Sequence, residues 1–204
     1  MYTPKSFRND NPEELRNFIR ENGFGILVSH VDGKLWGTHI PMILNEDGNT
    51  LTGHVARGNI QWKYIESAPD VLVIFTGPHA YVSSSWYDHE NVPTWNYIAV
   101  HVSGKIKIVE GDALLESLKI LVHTYEKDSS HPVSVETMSP KFLDTEIRGI
   151  VGFEIVITKI EASYKLSQNR DDENHERIVK ALEERKEDGS SRIAASMRKT
   201  RSPK

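Results

Sequence analysis

The sequence predicts a mainly β protein with peripheral helices, an α+β chain whose core is a β-barrel of about six strands. Three observations carry that expectation. Short apolar runs with period-two alternation recur from Gly25 to Ile160. Glycine-centred turns separate them, beginning with Asp32-Gly33, a strong short-range hairpin signal. No strand–helix–strand alternation suggests a parallel sheet, and the glycine-rich turns carry neither a Walker A pattern nor a dinucleotide fingerprint.

The elements follow in order. Asn11-Pro12-Glu13-Glu14 predicts a helix start, with Asn11 as cap, Pro12 at the first helical position and Glu14 completing a capping box. Leu15, Phe18 and Ile19 then share one face, and Gly23 ends the helix. Gly25 to Val31 and Lys34 to Leu44 form a hairpin, with Pro41 marking an edge or a bulge. Asn45 to Gly48 turns the chain into a third strand, Thr50 to Val55. Ile60 to Ser67 reads as a short helix capped by Asn59, its free N–H groups offering an anion site beside Arg57. Val71 to Thr76 is a buried strand, Gly77-Pro78 breaks it, and His79 to Val82 forms a further strand. Ser83 to Pro93 is a polar loop. Thr94 to Val109 is a long strand in which Gly104 allows a sharp bend.

Beyond that strand, Ala113 to Glu126 is an amphipathic helix with Leu114, Leu118, Leu121, Val122 and Tyr125 on one side. A short helix starts at Ser139-Pro140 and runs towards Arg148, and Gly152 to Ile160 is the last clear strand. After Ser167 the composition becomes charged: Asp171 to Lys186 is a helix whose apolar positions are Ile178, Val179, Ala181 and Leu182, and Gly189-Ser190-Ser191 breaks it. The end is basic and is either a mobile tail or a helix docking through Ile193, Ala194 and Met197.

Bulk composition narrows the function classes. A chain of 204 residues suits one domain with a small appendage, and 38% hydrophobic with 26% charged residues is ordinary for a globular protein with a real core. The absence of Cys excludes disulfides, thiolate metal sites and thiol nucleophiles, and fits a cytoplasmic setting. The N-terminal MYTPKSFRND has no apolar h-region, so no secretory signal is expected, and no run approaches the ~20 apolar residues of a membrane span. A formal charge of −4 does not mark the chain as a nucleic-acid binder. His54, His79, His89 and His101 lack metal-motif spacing, and Ser83-Ser84-Ser85 lacks a nucleophile elbow, so neither a metal site nor a catalytic residue is expected.

The stretch from Gly53 to Tyr97 is where a ligand is expected. It holds three of the four tryptophans, with Arg57, Asn59 and Gln61 at every second position beside Gly53 and Gly58. Aromatic walls cover a ring, and an Arg with amide donors holds a phosphate, so the pattern fits a flat anionic ligand as well as it fits an aromatic core with a polar turn. Trp86, Tyr87, Trp95, Asn96 and Tyr97 form a second group, which either closes over that ring, from a partner subunit, or makes an interface core. Trp95 and Tyr97 fall on one strand face and Asn96 on the other.

Several segments together resemble the PaiB family of transcriptional regulators, within the FMN-binding split-barrel superfamily of pyridoxamine-phosphate oxidases and flavin reductases. They are Met1-Tyr2-Thr3-Pro4-Lys5, His54 to Trp62, Gly77 to Val82 with Ser85-Trp86-Tyr87, Val92 to Tyr97, and Lys165 to Arg170. The resemblance implies a Greek-key split β-barrel over 1–166, a C-terminal helical and basic tail over 167–204 packed on or extending from it, and a homodimer with flavin-type sites. It implies a cofactor, FMN, whose ring lies along the strand from Thr38 to Met42 (Thr38, His39, Ile40 and Pro41) and whose phosphate lies near His54, Arg57, Asn59 and Gln61. Trp86, Trp95 and Asn96 complete that set. It also implies negative regulation of degradative-enzyme and sporulation genes. DNA would then be met by the tail, Arg192, Arg198, Lys199, Arg201 and Lys204. Two alternatives stay open: a flavin-dependent oxidoreductase of the pyridoxamine-phosphate-oxidase or flavin-reductase type, and a haem-binding split barrel.

Overall fold

The computed structural model describes residues 1–201, so Lys204 and the end of the 167–204 segment lie outside the described residues. Six strands close into a barrel: β1 (Phe24–Val31), β2 (Lys34–Leu44), β3 (Thr50–Ala56), β4 (Asp70–Val82), β5 (Thr94–Val109) and β6 (Ile150–Lys165), in the order β1-β2-β3-β6-β5-β4. β4 returns to β1 through Ile26↔Ile74, Leu27↔Val73 and Val28↔Leu72, so closure leaves no free sheet edge there. Five helices accompany the strands: α1 (Pro12–Glu21), α2 (Gly111–Glu126), α3 (Pro140–Arg148), α4 (Asp172–Glu184) and α5 (Asp188–Arg201).

Contacts divide the chain into two compact units. One comprises Arg16–Phe75 and His101–Ile160; the other comprises Met1–Leu15, Thr76–Val100 and the chain from Glu161 onward. In the first unit the core is Leu27, Met42, Leu51, Phe75, Phe153 and Ile155, all fully buried. These come from alternate positions of their strands, as burial on one strand face requires. The hairpin signal at Asp32-Gly33 is realised with both residues at positive φ, 52° and 72°, the two left-handed positions of a tight turn whose twist matches the strands. In the second unit the core is Leu166, Ile178, Leu182, Ile193 and Met197, with α5 laid against α4.

Several expectations change in detail. The capping box at α1 is replaced: Asn11 Oδ1 accepts from the N–H groups of Glu13 and Glu14, but the Asn11 N–H donates to Asn9 Oδ1 at 3.0 Å, so Glu14 is not needed there. The helix at Ile60 is only a 3₁₀ turn, Ile60–Tyr64, and the Asn59 side chain already takes the Gln61 N–H. The Gln61 N–H is therefore not available to an anion. Gly77-Pro78 does not split β4. Burial moves instead from odd positions (Val71, Val73, Phe75) to even ones (Pro78, Ala80, Val82), the phase change one additional residue in a strand produces. Gly189-Ser190-Ser191 does not break a helix. It lies in the first turn of α5, and the break falls at Lys186, whose φ is 56°. Of the two readings of the tail, α5 docks: Ile193, Ala194 and Met197 are buried. On the expected apolar side of α2, Leu114 is buried, Leu118, Leu121 and Val122 are half-buried, and Tyr125 is exposed.

Gly104 lies where two strands approach closely. A Cβ there would lie 2.5 Å from Ile155 Cγ2 and 2.6 Å from Val156 O on the neighbouring strand, and the carbonyl cannot yield. Gly104→Ala is therefore expected to cost about 1–3 kcal/mol. For a chain of this length that lowers Tm by roughly 2–12 °C. A thermal melt unchanged from the native protein would show that β5 and β6 relax around the methyl group.

Candidate functional site

The ligand-site residues on β2 and β3 sit where those strands part. β2 pairs with β1 from Lys34 to Pro41, but its register with β3 covers only Met42, Ile43 and Leu44. Pro41, with no N–H to give, stands at the change of partner. Over Thr38–Pro41 one side of β2 therefore has no β3 partner, and side chains bridge the opening. Thr38 Oγ1 donates to Gln61 Oε1 at 2.6 Å and accepts from Asn59 Nδ2 at 3.0 Å. The Gln61 N–H donates to Asn59 Oδ1 at 3.1 Å, and Gln61 Nε2 donates to Ser29 Oγ at 2.9 Å and Leu27 O at 3.3 Å. Gln61 is only 1% exposed, and every polar atom of its amide is engaged, as burial demands.

Arg57 follows β3 and anchors the start of β6. Its Nε donates to Arg148 O at 2.7 Å and its Nη2 to Ile150 O at 2.8 Å, while its backbone N–H donates to Gly149 O. The guanidinium also lies 5.9 Å from the Trp62 ring centroid. Beside it, a Cβ on Gly58 would meet nothing within 4 Å, so the backbone opens to free space. His39 is exposed and stacks on Phe24, and Ile40 is buried. His54 is half-buried, and burial holds its pKa below the ordinary 6.5.

In the second unit the aromatic group divides. Asn96 is fully enclosed: its Nδ2 donates to Ser167 Oγ at 3.0 Å, and Ser167 Oγ donates back to Asn96 Oδ1 at 3.2 Å. Its Nδ2 also lies 3.4 Å from Met197 Sδ. Trp95, its neighbour on the opposite strand face, is 53% exposed and rests against His79 and Tyr81. The Arg185 guanidinium stacks 4.6 Å from the Trp86 ring centroid. The basic residues of α5 meet acids: Arg198 pairs with Glu183 at 2.8 Å and with Glu176 at 3.3 Å, Arg201 pairs with Asp172, and Arg192 stands 3.9 Å from Asp188. Lys199 is exposed.

The sequence therefore brings Thr38, Asn59 and Gln61 together with Arg57 next in the chain, whereas Trp95 and Asn96 face opposite ways. Ser29 was overlooked, although a signal existed: it occupies the buried phase of β1 between Leu27 and Val31, and a hydroxyl there demands a partner. Arg185 had no local signal, since its ring partners lie about a hundred positions upstream.

The strand order, the closed barrel and the opening beside β2 define a split barrel of the flavin-binding type. The chain belongs to the PaiB family: residues 1–159 match the family model described as "Putative FMN-binding domain", and the chain is 47% identical to protease synthase and sporulation protein PAI 2 of Bacillus subtilis over 97% of this chain and 96% of that protein. Solved structures agree on the fold. A FAD and heme binding protein from Mycobacterium smegmatis superposes with a TM-score of 0.62 at 14% identity, covering 82% of this chain and 78% of that one. The flavocytochrome Anf3 from Azotobacter vinelandii gives 0.60 at 14% identity, covering 83% and 75%.

Two predictions follow from this geometry. Gln61→Leu keeps the volume but leaves Ser29, Thr38 and the Leu27 carbonyl short of partners, so urea denaturation should show a loss of about 2–5 kcal/mol. A loss below about 0.5 kcal/mol would mean that the network contributes no more than a surface contact. The pH response is set by His54 and His175, both held below 6.5 by burial. Burial disfavours the charged imidazolium of each in the folded chain, so the unfolded state binds more protons as pH falls through 6.5. Stability is full above that pH and falls as the solution is acidified towards pH 5, while carboxylates stay ionised. His54→Gln should flatten part of that slope in midpoints measured between pH 7 and 5.

Proposed function

We propose that this chain is a dimeric PaiB-type regulator that holds FMN at the opening beside β2. The observation carrying this reading is that Thr38, His39, Ile40 and Pro41 have a backbone edge without a β3 partner. The nitrogen and oxygen atoms along one side of an isoalloxazine ring fit such an edge, and the Thr38–Asn59–Gln61 network holds it in place. Arg57 is the cation for the phosphate. Two of its guanidinium nitrogens are bonded to carbonyls, which fixes the plane and leaves Nη1 as the phosphate contact. Asn59 and Gln61 act through position, because their amide groups are engaged within the chain. His54 lines the strand leading to Arg57. When bound, flavin supplies a two-electron redox centre, and the protein supplies orientation and donors.

A second copy would cover the exposed Leu35 and Trp36 on the β1–β2 hairpin, in keeping with the homodimer that the family resemblance implies. The relative's name ties it to protease synthesis and sporulation, and by homology we extend control of such genes to this chain. Direct DNA contact through Arg192, Arg198, Lys199 and Arg201 would have to break the ion pairs of Arg198 and Arg201, so a regulatory signal is better supported through the ligand-holding barrel.

Titration of FMN fluorescence tests the assignment. Native protein should quench the flavin saturably, and Arg57→Ala should weaken binding roughly tenfold or more. A thermal melt run in parallel separates this from loss of the carbonyl contacts. Unchanged affinity would remove Arg57 from the site, and no quenching by native protein would remove FMN. NAD(P)H oxidation by the flavin-loaded protein would move the reading to a flavin-dependent oxidoreductase.

A further inference from the structure

A cavity of about 710 Å³ lies entirely within the second unit, between β4, the start of β5 and the first turn of α5. Its volume is in the range of small-molecule sites. The Trp95 indole forms one wall. Tyr81 meets that ring edge-on, with centroids 5.9 Å apart and planes at 69°, and His79 sits 6.0 Å away at 45°. Two neighbours thus buttress a ring that is still half-exposed, which is how a stacking platform is held ready.

Arg185 provides the charge. Its Nη1 donates to Tyr81 O at 3.0 Å, and its guanidinium lies 4.6 Å from the Trp86 centroid and 5.9 Å from that of Tyr81. The group is half-buried and held flat, yet among the described residues no carboxylate pairs with it. The acids nearby are otherwise engaged: Glu187 accepts from Ser190 Oγ at 3.1 Å, and Asp188 faces Arg192 at 3.9 Å. A partly desolvated guanidinium with donors to spare favours an anion. Gly189 makes room for this wall: a Cβ there would stand 2.7 Å from His79 O. Arg185 and the α5 wall lie beyond the segment matched by the FMN-binding family model, which ends at residue 159.

We infer that this cavity binds a planar aromatic anion, its ring on Trp95 and its carboxylate or phosphate on Arg185. The site is separate from the FMN reading and does not depend on it. Trp86 and Trp95, which the family resemblance adds to the flavin set, are assigned here instead, and neither Arg57 nor the Thr38–Pro41 edge lines this cavity.

Isothermal titration of the full-length protein with indole-3-acetate, benzoate and AMP, and with neutral indole, tests it. At least one of the anions should bind saturably, and indole at least tenfold more weakly than the best of them. Arg185→Gln and Trp95→Ala should each weaken that anion tenfold or more, and Trp95→Phe, which keeps a ring, should stay within threefold of native. Arg57→Ala should leave it unchanged while it weakens FMN. Preference for the carboxylates or for AMP assigns the head group. Saturable binding of none of the three anions would overturn the inference. So would binding that survives both Arg185→Gln and Trp95→Ala in proteins whose circular dichroism is native. Failure of the native protein to bind FMN, while it binds the aromatic anion, would overturn the flavin reading and leave this one standing.

Discussion

The hydrogen-bonded bridge from Thr38 to Gln61 is the constraint around which the first unit is arranged. Two neighbouring strands separate after three paired residues, and separation would leave buried polar groups without partners. The amide of Gln61 resolves this by reaching Ser29 and Leu27 on β1 and Thr38 on β2. Asn59 then ties the turn after β3 to the same hydroxyl. An opening in a barrel is stable only when its lining is satisfied in this way, and a satisfied lining is also rigid. Rigidity is what a binding edge needs, because a ligand then meets donors and acceptors already in place.

The arginines show how the same residue type serves different ends. Arg57 is committed to backbone carbonyls and so sews the end of β3 to the beginning of β6. Arg198 is committed to Glu183 and Glu176, and these pairs hold its proton more firmly than usual. That arrangement makes α5 a docked helix whose basic charge is largely answered. Its apolar stripe of Ile193, Ala194 and Met197 supplies the driving force, with the ion pairs setting its register at the surface. Arg185 differs from both, because aromatic rings rather than carboxylates surround it.

Family membership and fold lead to the flavin reading by one route, and the parting of β2 from β3 leads to it by another. The solved split barrels share only about one residue in seven with this chain, at 14% identity. They establish the scaffold, and ligands are chosen by side chains and edges placed on it. In this chain the unpaired edge is backbone at Thr38–Pro41, and a backbone edge depends little on side-chain identity.

Much of the architecture was legible in the sequence. Asp32-Gly33, Asn45 to Gly48, Thr94 to Val109 and Ser139-Pro140 are local signals, and each appears where turn chemistry, alternation or capping placed it. Asn59, Gln61 and Arg57 were also legible as a cluster, because they are close in the chain. Contacts over long separations were not. Whether Gln61 faces a ligand or Ser29, whether Asn96 faces a ring or Ser167, and whether Arg185 meets an acid or two aromatic rings all depend on residues some 30 to 100 positions away. Residue type and spacing determined which groups could bond. Tertiary packing decided which of them did, since a buried polar atom must take whichever partner the closing of the barrel brings within 3 Å or so.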